Sequence, residues 1–354
     1  MISQHGGKMK QQWVRSVIVI VMTGLVLGCG TEYSQKDAAF TPEKAFTQAM
    51  TQAEKGDAAA QYQVGRMYCD GVGVKKNVDS GLSWLNRSAG QGNMDAQFQL
   101  GLIYDEGRDV KADPSKAIEW YEKAANQGDM YAQYNLALLY QLGTGVSEND
   151  ATAVDWYTKA AEQGYDKAQY NLGAMYESGA GVKKDLTKAL YWYTQAAIHG
   201  NKLVQFKVGD MYAQGQGTSP NNDKAAEWIA KSAGQGFPQA EWYLGVMYEK
   251  GRGVKQNAEK SVLWYQKAAE HGYPPAMFNL AIMYEKGDGI KKDMVQAYYW
   301  YSLSEHRLSK DFADMIKSKC KELESLLSPE DLNHAKEMIK QYKPVVTPEF
   351  TVAK

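Results

Sequence analysis

The sequence predicts an all-α fold: a right-handed α/α solenoid of seven 36-residue helix-turn-helix repeats with helical caps at both ends. The first observation is a fixed period. Tyr68, Tyr104, Tyr140, Tyr176, Tyr212, Tyr248 and Tyr284 recur every 36 residues without insertion or deletion, as do Trp84, Trp120, Trp156, Trp192, Trp228, Trp264 and Trp300. Self-similarity at that period marks a stacked array. The second is helical spacing of apolar residues within each unit, and the third is the recurrence of helix start and stop residues at the same offsets.

The elements follow in chain order. Lys8, Lys10 and Arg15 precede an apolar run from Val17 to Leu27. That run is too short for the roughly 20 residues a helix needs to cross a bilayer, and it reads as a secretory leader. It ends Val26-Leu27-Gly28-Cys29, which resembles the lipobox of bacterial lipoproteins and implies residues 1–28 as signal peptide and lipidation of Cys29. Met9 is an alternative start, because Met-Lys-Gln-Gln-Trp-Val-Arg already makes a charged leader. Residues 29–41 are polar and aperiodic and read as a tether.

Residues 42–56 match the second half of a repeat, with Gly56 in register 36 residues before Gly92, and are expected to cap the first unit. Residues 57–308 hold the seven repeats. In the third, Ala132, Leu136, Leu139 and Tyr140 share one helix face, a Gly143-Thr-Gly-Val turn follows, and Ala153, Trp156, Tyr157, Ala160 and Ala161 form a second face. Each second helix is expected to start at an Asn or Asp cap, from Asn77 through Asp293, and to stop before a glycine such as Gly92 or Gly128. Ala60, Ala96 and Ala132 with Gly65, Gly101 and Gly173 make small columns on the first helices. The rings of Tyr62, Phe98, Tyr134, Tyr170, Phe206, Trp242 and Phe278 are assigned to the space these leave. One hairpin cannot bury such rings, so neighbouring units must stack. Residues 309–342 are expected to form a helical cap, its last helix opened by Ser328-Pro-Glu-Asp, and residues 343–354 a tail.

With the pattern laid out, the run Ala168-Gln-Tyr-Asn-Leu-Gly-Ala-Met-Tyr through Gly179-Ala-Gly-Val to Asp185, then Ala189 to Gly200, resembles the Sel-one-like repeat, a relative of the tetratricopeptide repeat. The match covers residues 57–308. Asp109 in place of a loop glycine, and Gly217-Thr-Ser-Pro in place of Gly-Val, are departures expected to change the shape of two loops. The resemblance implies a scaffold or adaptor for other proteins, often in the bacterial envelope. Some lipoproteins with these repeats are immunity proteins against a secreted lipase-type toxin, and that is the alternative reading. Some secreted relatives carry a disulfide in each repeat, a pattern that three cysteines cannot supply.

Composition narrows the function further. Forty basic and 41 acidic residues leave a net charge of −1, and no basic block exceeds two residues, which argues against nucleic acid as partner. Cys29, Cys69 and Cys320 provide neither a disulfide framework nor zinc spacing. No nucleophile, metal or phosphate motif is present. The Gly71-Val-Gly-Val-Lys75-Lys76 loop lacks the ending of a P-loop and recurs as an inter-helix turn. His199 and His271 share a column before a repeat glycine without a second ligand at metal-binding spacing. The sequence therefore predicts no catalysis, no metal and no small-molecule cofactor, against the second alternative of an envelope hydrolase.

The candidate partner surface comes from columns that do not repeat. Positions nine, five and two before the tyrosine column, and two after it, share one face of the first helix. The third unit places Tyr131, Asn135, Leu138 and Leu142 there. The other candidates on the stripe are Leu102, Asn171, Tyr243 and Val246. First helices usually line the concave side in this class, so the stripe is expected to be a groove for another protein or peptide of the cell envelope, its amide column holding an extended chain. Gly30 rather than Asp after Cys29 points to a periplasm-facing lipoprotein of the outer membrane.

Overall fold

A computed structural model describes residues 41–305 and 310–345. Cys29, the leader, nearly all of the tether, and the tail from residue 346 lie outside the described residues. Seventeen α-helices and no strand are found among those described. Helix α1 (Pro42–Glu54) precedes seven hairpins: α2 (Ala58–Asp70) with α3 (Val78–Gly90), α4 (Met94–Glu106) with α5 (Pro114–Asn126), α6 (Met130–Leu142) with α7 (Asp150–Glu162), α8 (Asp166–Ser178) with α9 (Leu186–Ile198), α10 (Lys202–Gln214) with α11 (Asn222–Ala233), α12 (Pro238–Lys250) with α13 (Ala258–Glu270), and α14 (Pro274–Lys286) with α15 (Met294–Glu305). Helices α16 (Lys310–Leu326) and α17 (Pro329–Gln341) follow.

The second helices start where the side chains dictate. Asn77, Asp113, Asn149, Asp185, Asn221 and Asn257 each accept a bond from a first-turn N–H, and Asp293 accepts from the Gln296 amide at 3.0 Å. Each such cap contributes about 1 kcal/mol. The first helices end on left-handed glycines, Gly71 to Gly287.

The second glycine of each inter-helix loop does a different job. Gly73, Gly217 and Gly253 lie at φ +69°, +77° and +68°, and a Cβ there would sit 1.9–2.1 Å from the carbonyl oxygens of Pro42, Leu186 and Asn222 at the start of the preceding second helix. Backbone must approach backbone at this point, so the loop locks each unit to its predecessor. Gly73 meets Pro42 as Gly217 meets Leu186, which seats α1 in the place of a second helix. Asp109 takes the same conformation, φ +65°, and is the only non-glycine with positive φ among the described residues. At this one position the two departing loops share the left-handed φ of the others. Asp tolerates the left-handed region better than most residues, and its carboxylate also accepts from Lys76 Nζ at 2.7 Å.

Packing corrects one assignment. The residue filling the space over the small column is the one after the tryptophan: Tyr121, Tyr157, Tyr193, Tyr265 and Tyr301, with Leu85 and Ile229 in the same register, all buried. A Cβ on Gly101 would lie 2.5 Å from the Tyr121 ring and one on Gly245 2.6 Å from that of Tyr265. The rings that the sequence placed there are half-buried and lean on the buried tyrosines from outside, as Phe98 on Tyr121 (5.9 Å) and Tyr134 on Tyr157 (5.7 Å). Six of the tryptophans, Trp84 to Trp264, are half-buried too, and Trp300 is buried. A cation three residues on lies over each of five, from Lys159 at 3.7 Å over Trp156 to Arg87 at 4.7 Å over Trp84. The cation covers one ring face.

The far end is closed as expected. Ile316, Cys320 and Leu323 of α16 and Ala335 of α17 are buried in one cluster with Tyr298, Trp300 and Tyr301 of α15. The chain then doubles back: Tyr342 donates its hydroxyl to the Ala269 carbonyl (2.8 Å) and the Val345 amide donates to Glu270 (2.9 Å).

Candidate functional site

The first-helix stripe divides into side chains occupied within the stack and side chains that face solvent. Leu102, Leu138 and Val246 are half-buried, each packed against a core cluster. Tyr131 is 45% and Leu142 68% exposed, although both are large and apolar. They sit on α6 eleven positions apart, about three turns, and so face the same way.

The amide column has a structural role. Asn135 donates to the Tyr121 hydroxyl at 3.1 Å, Asn171 to Tyr157 at 3.0 Å and Asn279 to Tyr265 at 3.0 Å, each reaching into the preceding unit. The tyrosines in turn donate to the first helix of their own unit: Tyr121 to Asp105 (3.2 Å), Tyr157 to Gln141 (2.8 Å), Tyr265 to Glu249 (2.6 Å). Burial pushes the hydroxyls of Tyr121, Tyr157 and Tyr265 far above the usual phenol range, so they stay neutral donors. One N–H of Asn135 and of Asn171 is therefore spent inside the stack.

Tyr131 belongs to an aromatic ladder. Its ring lies 6.1 Å from Phe98 of the second unit and 5.3 Å from Tyr165, which stands 5.0 Å from Tyr134. A second ladder joins Phe206 to Phe237 (5.4 Å) and Tyr243 (6.2 Å), and Trp242 to Tyr273 (5.9 Å). Tyr165, Phe237 and Tyr273 were not singled out from sequence. They hold the N-cap positions of α8, α12 and α14, where Asp57, Asn93, Asp129 and Asn201 make side-chain caps in the other units, and they make none. Reading the cap column from unit to unit would have found them. Three units give up a cap of about 1 kcal/mol and gain ring contact with the preceding unit.

Reactive chemistry is sparse. Burial raises the Cys69 and Cys320 thiols to about 11, which keeps them protonated and unreactive at neutral pH. Among the described residues no three His, Cys, Asp or Glu side chains gather as a metal set, and no helix is long and apolar enough to cross a membrane. Glu241 on α12 and His271 at the cap of α13 form a histidine–carboxylate pair within the sixth unit, away from the stripe.

Comparison with known proteins matches this architecture. The Sel1 repeat matches seven times, at residues 58–93, 95–129, 131–165, 166–201, 203–237, 238–273 and 274–304. A Sel1 repeat protein from Oxalobacter formigenes is 26% identical, with TM-score 0.61, covering 90% of this chain and 99% of that one. The protective antigen c5321 of uropathogenic Escherichia coli is 28% identical, with TM-score 0.56, covering 85% of this chain and 79% of that one. No curated protein is significantly similar to the chain. Repeats of this kind build surfaces for protein partners. With seven matches spanning every hairpin from α2 to α15, the chain belongs to the Sel1 repeat family.

Proposed function

We propose that this chain is a non-enzymatic scaffold of the bacterial envelope that holds a protein or peptide along its first-helix stripe. The observation that carries the reading is the exposure of Tyr131 and Leu142 on a stripe whose neighbouring side chains are tied into the stack. Large apolar side chains left in water at the centre of a polar surface are the usual anchors of an interface. The ladder through Phe98 and Tyr165 stiffens Tyr131 and lowers the entropy lost when a partner covers it.

Tyr131→Ala combined with Leu142→Asp is expected to abolish partner capture while helical content and melting stay within the range of ordinary surface changes, about 0.5 kcal/mol. Leu138 is left intact in this test because its packing would confound it. Capture at full strength by the double variant would remove the stripe from the account.

Anchoring is the second part of the proposal. The leader before Cys29 supports an acyl chain on that thiol, with the repeats facing the periplasm from the outer membrane. Cys29→Ser is expected to move the protein from the membrane fraction to the soluble fraction. Retention of that variant in the membrane would refute the lipid anchor.

A further inference from the structure

Five of the seven units carry a buried glutamine near the start of the first helix, and all five donate from it alike. Gln61, Gln97, Gln133, Gln169 and Gln205 each donate Nε2–H, at 3.0–3.1 Å, to the carbonyl eight residues earlier, at the end of the preceding unit's second helix. Four of them also accept, at 2.7–2.8 Å, from a glutamine thirty residues later: Gln91, Gln127, Gln163 and Gln235. Gln91 and Gln127 donate again to the Gly56 and Gly92 carbonyls of the preceding turn. In these four units the motif is a neutral brace, with a donor for the buried carbonyl and an acceptor for the second amide; in the fourth unit His199 stands in the second place and the Gln169 oxygen has no partner.

The sixth unit replaces both members. Glu241, 2% exposed, stands in the glutamine column, and His271 stands where the second glutamine would be, with Nδ1 2.7 Å from Glu241 Oε2. By register Glu241 corresponds to the glutamines that donate to the carbonyl eight residues earlier, here that of Ala233, which also accepts from the Gly236 amide at 3.0 Å; an ionised carboxylate accepts only and has no hydrogen to offer it. A protonated one supplies that hydrogen and still accepts from His271.

We propose that the Glu241–His271 pair is a proton-binding brace between the fifth and sixth units, closed when Glu241 carries a proton and loosened when it does not. Burial, the largest influence, raises the Glu241 carboxyl above its ordinary value of 4.5, while the hydrogen bond and charge of His271 and the charge of Lys267 lower it and Glu270 raises it again. These charged groups all lie on α13 or its cap. The end of α11 and the turn to α12 contribute Ala233, Gly234, Gln235, Gly236 and Phe237, none titratable, and the turn before α14 brings Tyr273, whose hydroxyl burial keeps neutral. Because the folded seam binds the proton more tightly than the unfolded chain, its contribution is complete below pH 4.5 and is lost as pH rises through the folded value. The seam lies beside Tyr243 and Val246 on α12, so the proton state acts next to the second aromatic ladder. The inference stands whether or not the stripe binds a partner.

Amide hydrogen exchange on the full chain provides the test, read as protection in residues 233–241 relative to residues 197–205, where Gln205 and Gln235 make the neutral brace. From pH 4.5 to 8 the wild-type ratio is expected to fall after correction for intrinsic exchange. In Glu241→Gln/His271→Gln it should stay level, and in His271→Gln alone it should fall further, because the influence of His271 on Glu241 is gone. Moving the pair by Gln205→Glu/Gln235→His should transfer the pH dependence to residues 197–205. A level wild-type ratio, or a fall that persists in Glu241→Gln/His271→Gln, would overturn the proposal.

Discussion

Tyr157→Ala is expected to destabilise the array by about 3–5 kcal/mol, the usual cost of removing a large buried side chain and leaving a cavity. Tyr157 is fully buried and is clustered with Ala137 of its own hairpin and with Leu172 and Met175 of the next unit. The hydroxyl matters separately. Tyr157→Phe keeps the ring but leaves Asn171 and Gln141 without a partner they use at 3.0 and 2.8 Å, for a loss of about 1–3 kcal/mol. Urea unfolding of both variants, followed by circular dichroism, gives the two values. The loss should concentrate at the seam between the third and fourth units, because stability in a solenoid is a sum of unit and nearest-neighbour terms. Equal effects from the two variants would mean that the ring contributes little beyond its hydroxyl.

Gly253→Val is expected to be comparably severe for a different reason. The position combines φ +68° with a Cβ 1.9 Å from the Asn222 carbonyl oxygen, so the variant must both strain the backbone and push the loop off α11. A bulky residue held in the left-handed region costs about 1–3 kcal/mol before any displacement is counted. The reverse exchange at the matching position is the control. Asp109→Gly removes left-handed strain at φ +65° and an exposed ion pair with Lys76, and its stability should change by no more than about 1 kcal/mol. Thermal melts of the two variants separate a loop that must touch its predecessor from one that merely fills a turn.

Most of the fold was legible because the sequence repeats its own instructions. Asn77 and its counterparts start every second helix, Gly71 and its counterparts end every first helix, and the 36-residue interval fixes the number of units. The assignment of rings to layers was not legible. Tyr121 and Trp120 are adjacent and both aromatic, and only the position of Gly101 in space shows that the first is buried and the second is covered by Lys123. The candidate stripe was legible as a face, since positions four and three apart on a helix align whatever they contain. What each side chain does there depends on the neighbouring unit. Asn135 looks like a free amide in sequence, yet Tyr121 of the preceding unit engages it. Tyr165, Phe237 and Tyr273 were passed over because an aromatic residue at a cap position carries no local helix signal. Their partners lie in the preceding unit.

The claim on which the functional account turns is that partners are held on the first-helix side of the stack. Photocrosslinking amino acids placed singly at Tyr131 and Leu142, and at Tyr191 and Ile198 on α9, test it most directly, since all four positions are exposed and differ in the helix layer that carries them. The account predicts a discrete protein adduct in envelope-bearing cells from positions 131 and 142 and none from 191 and 198. An adduct formed only from the α9 positions would contradict it.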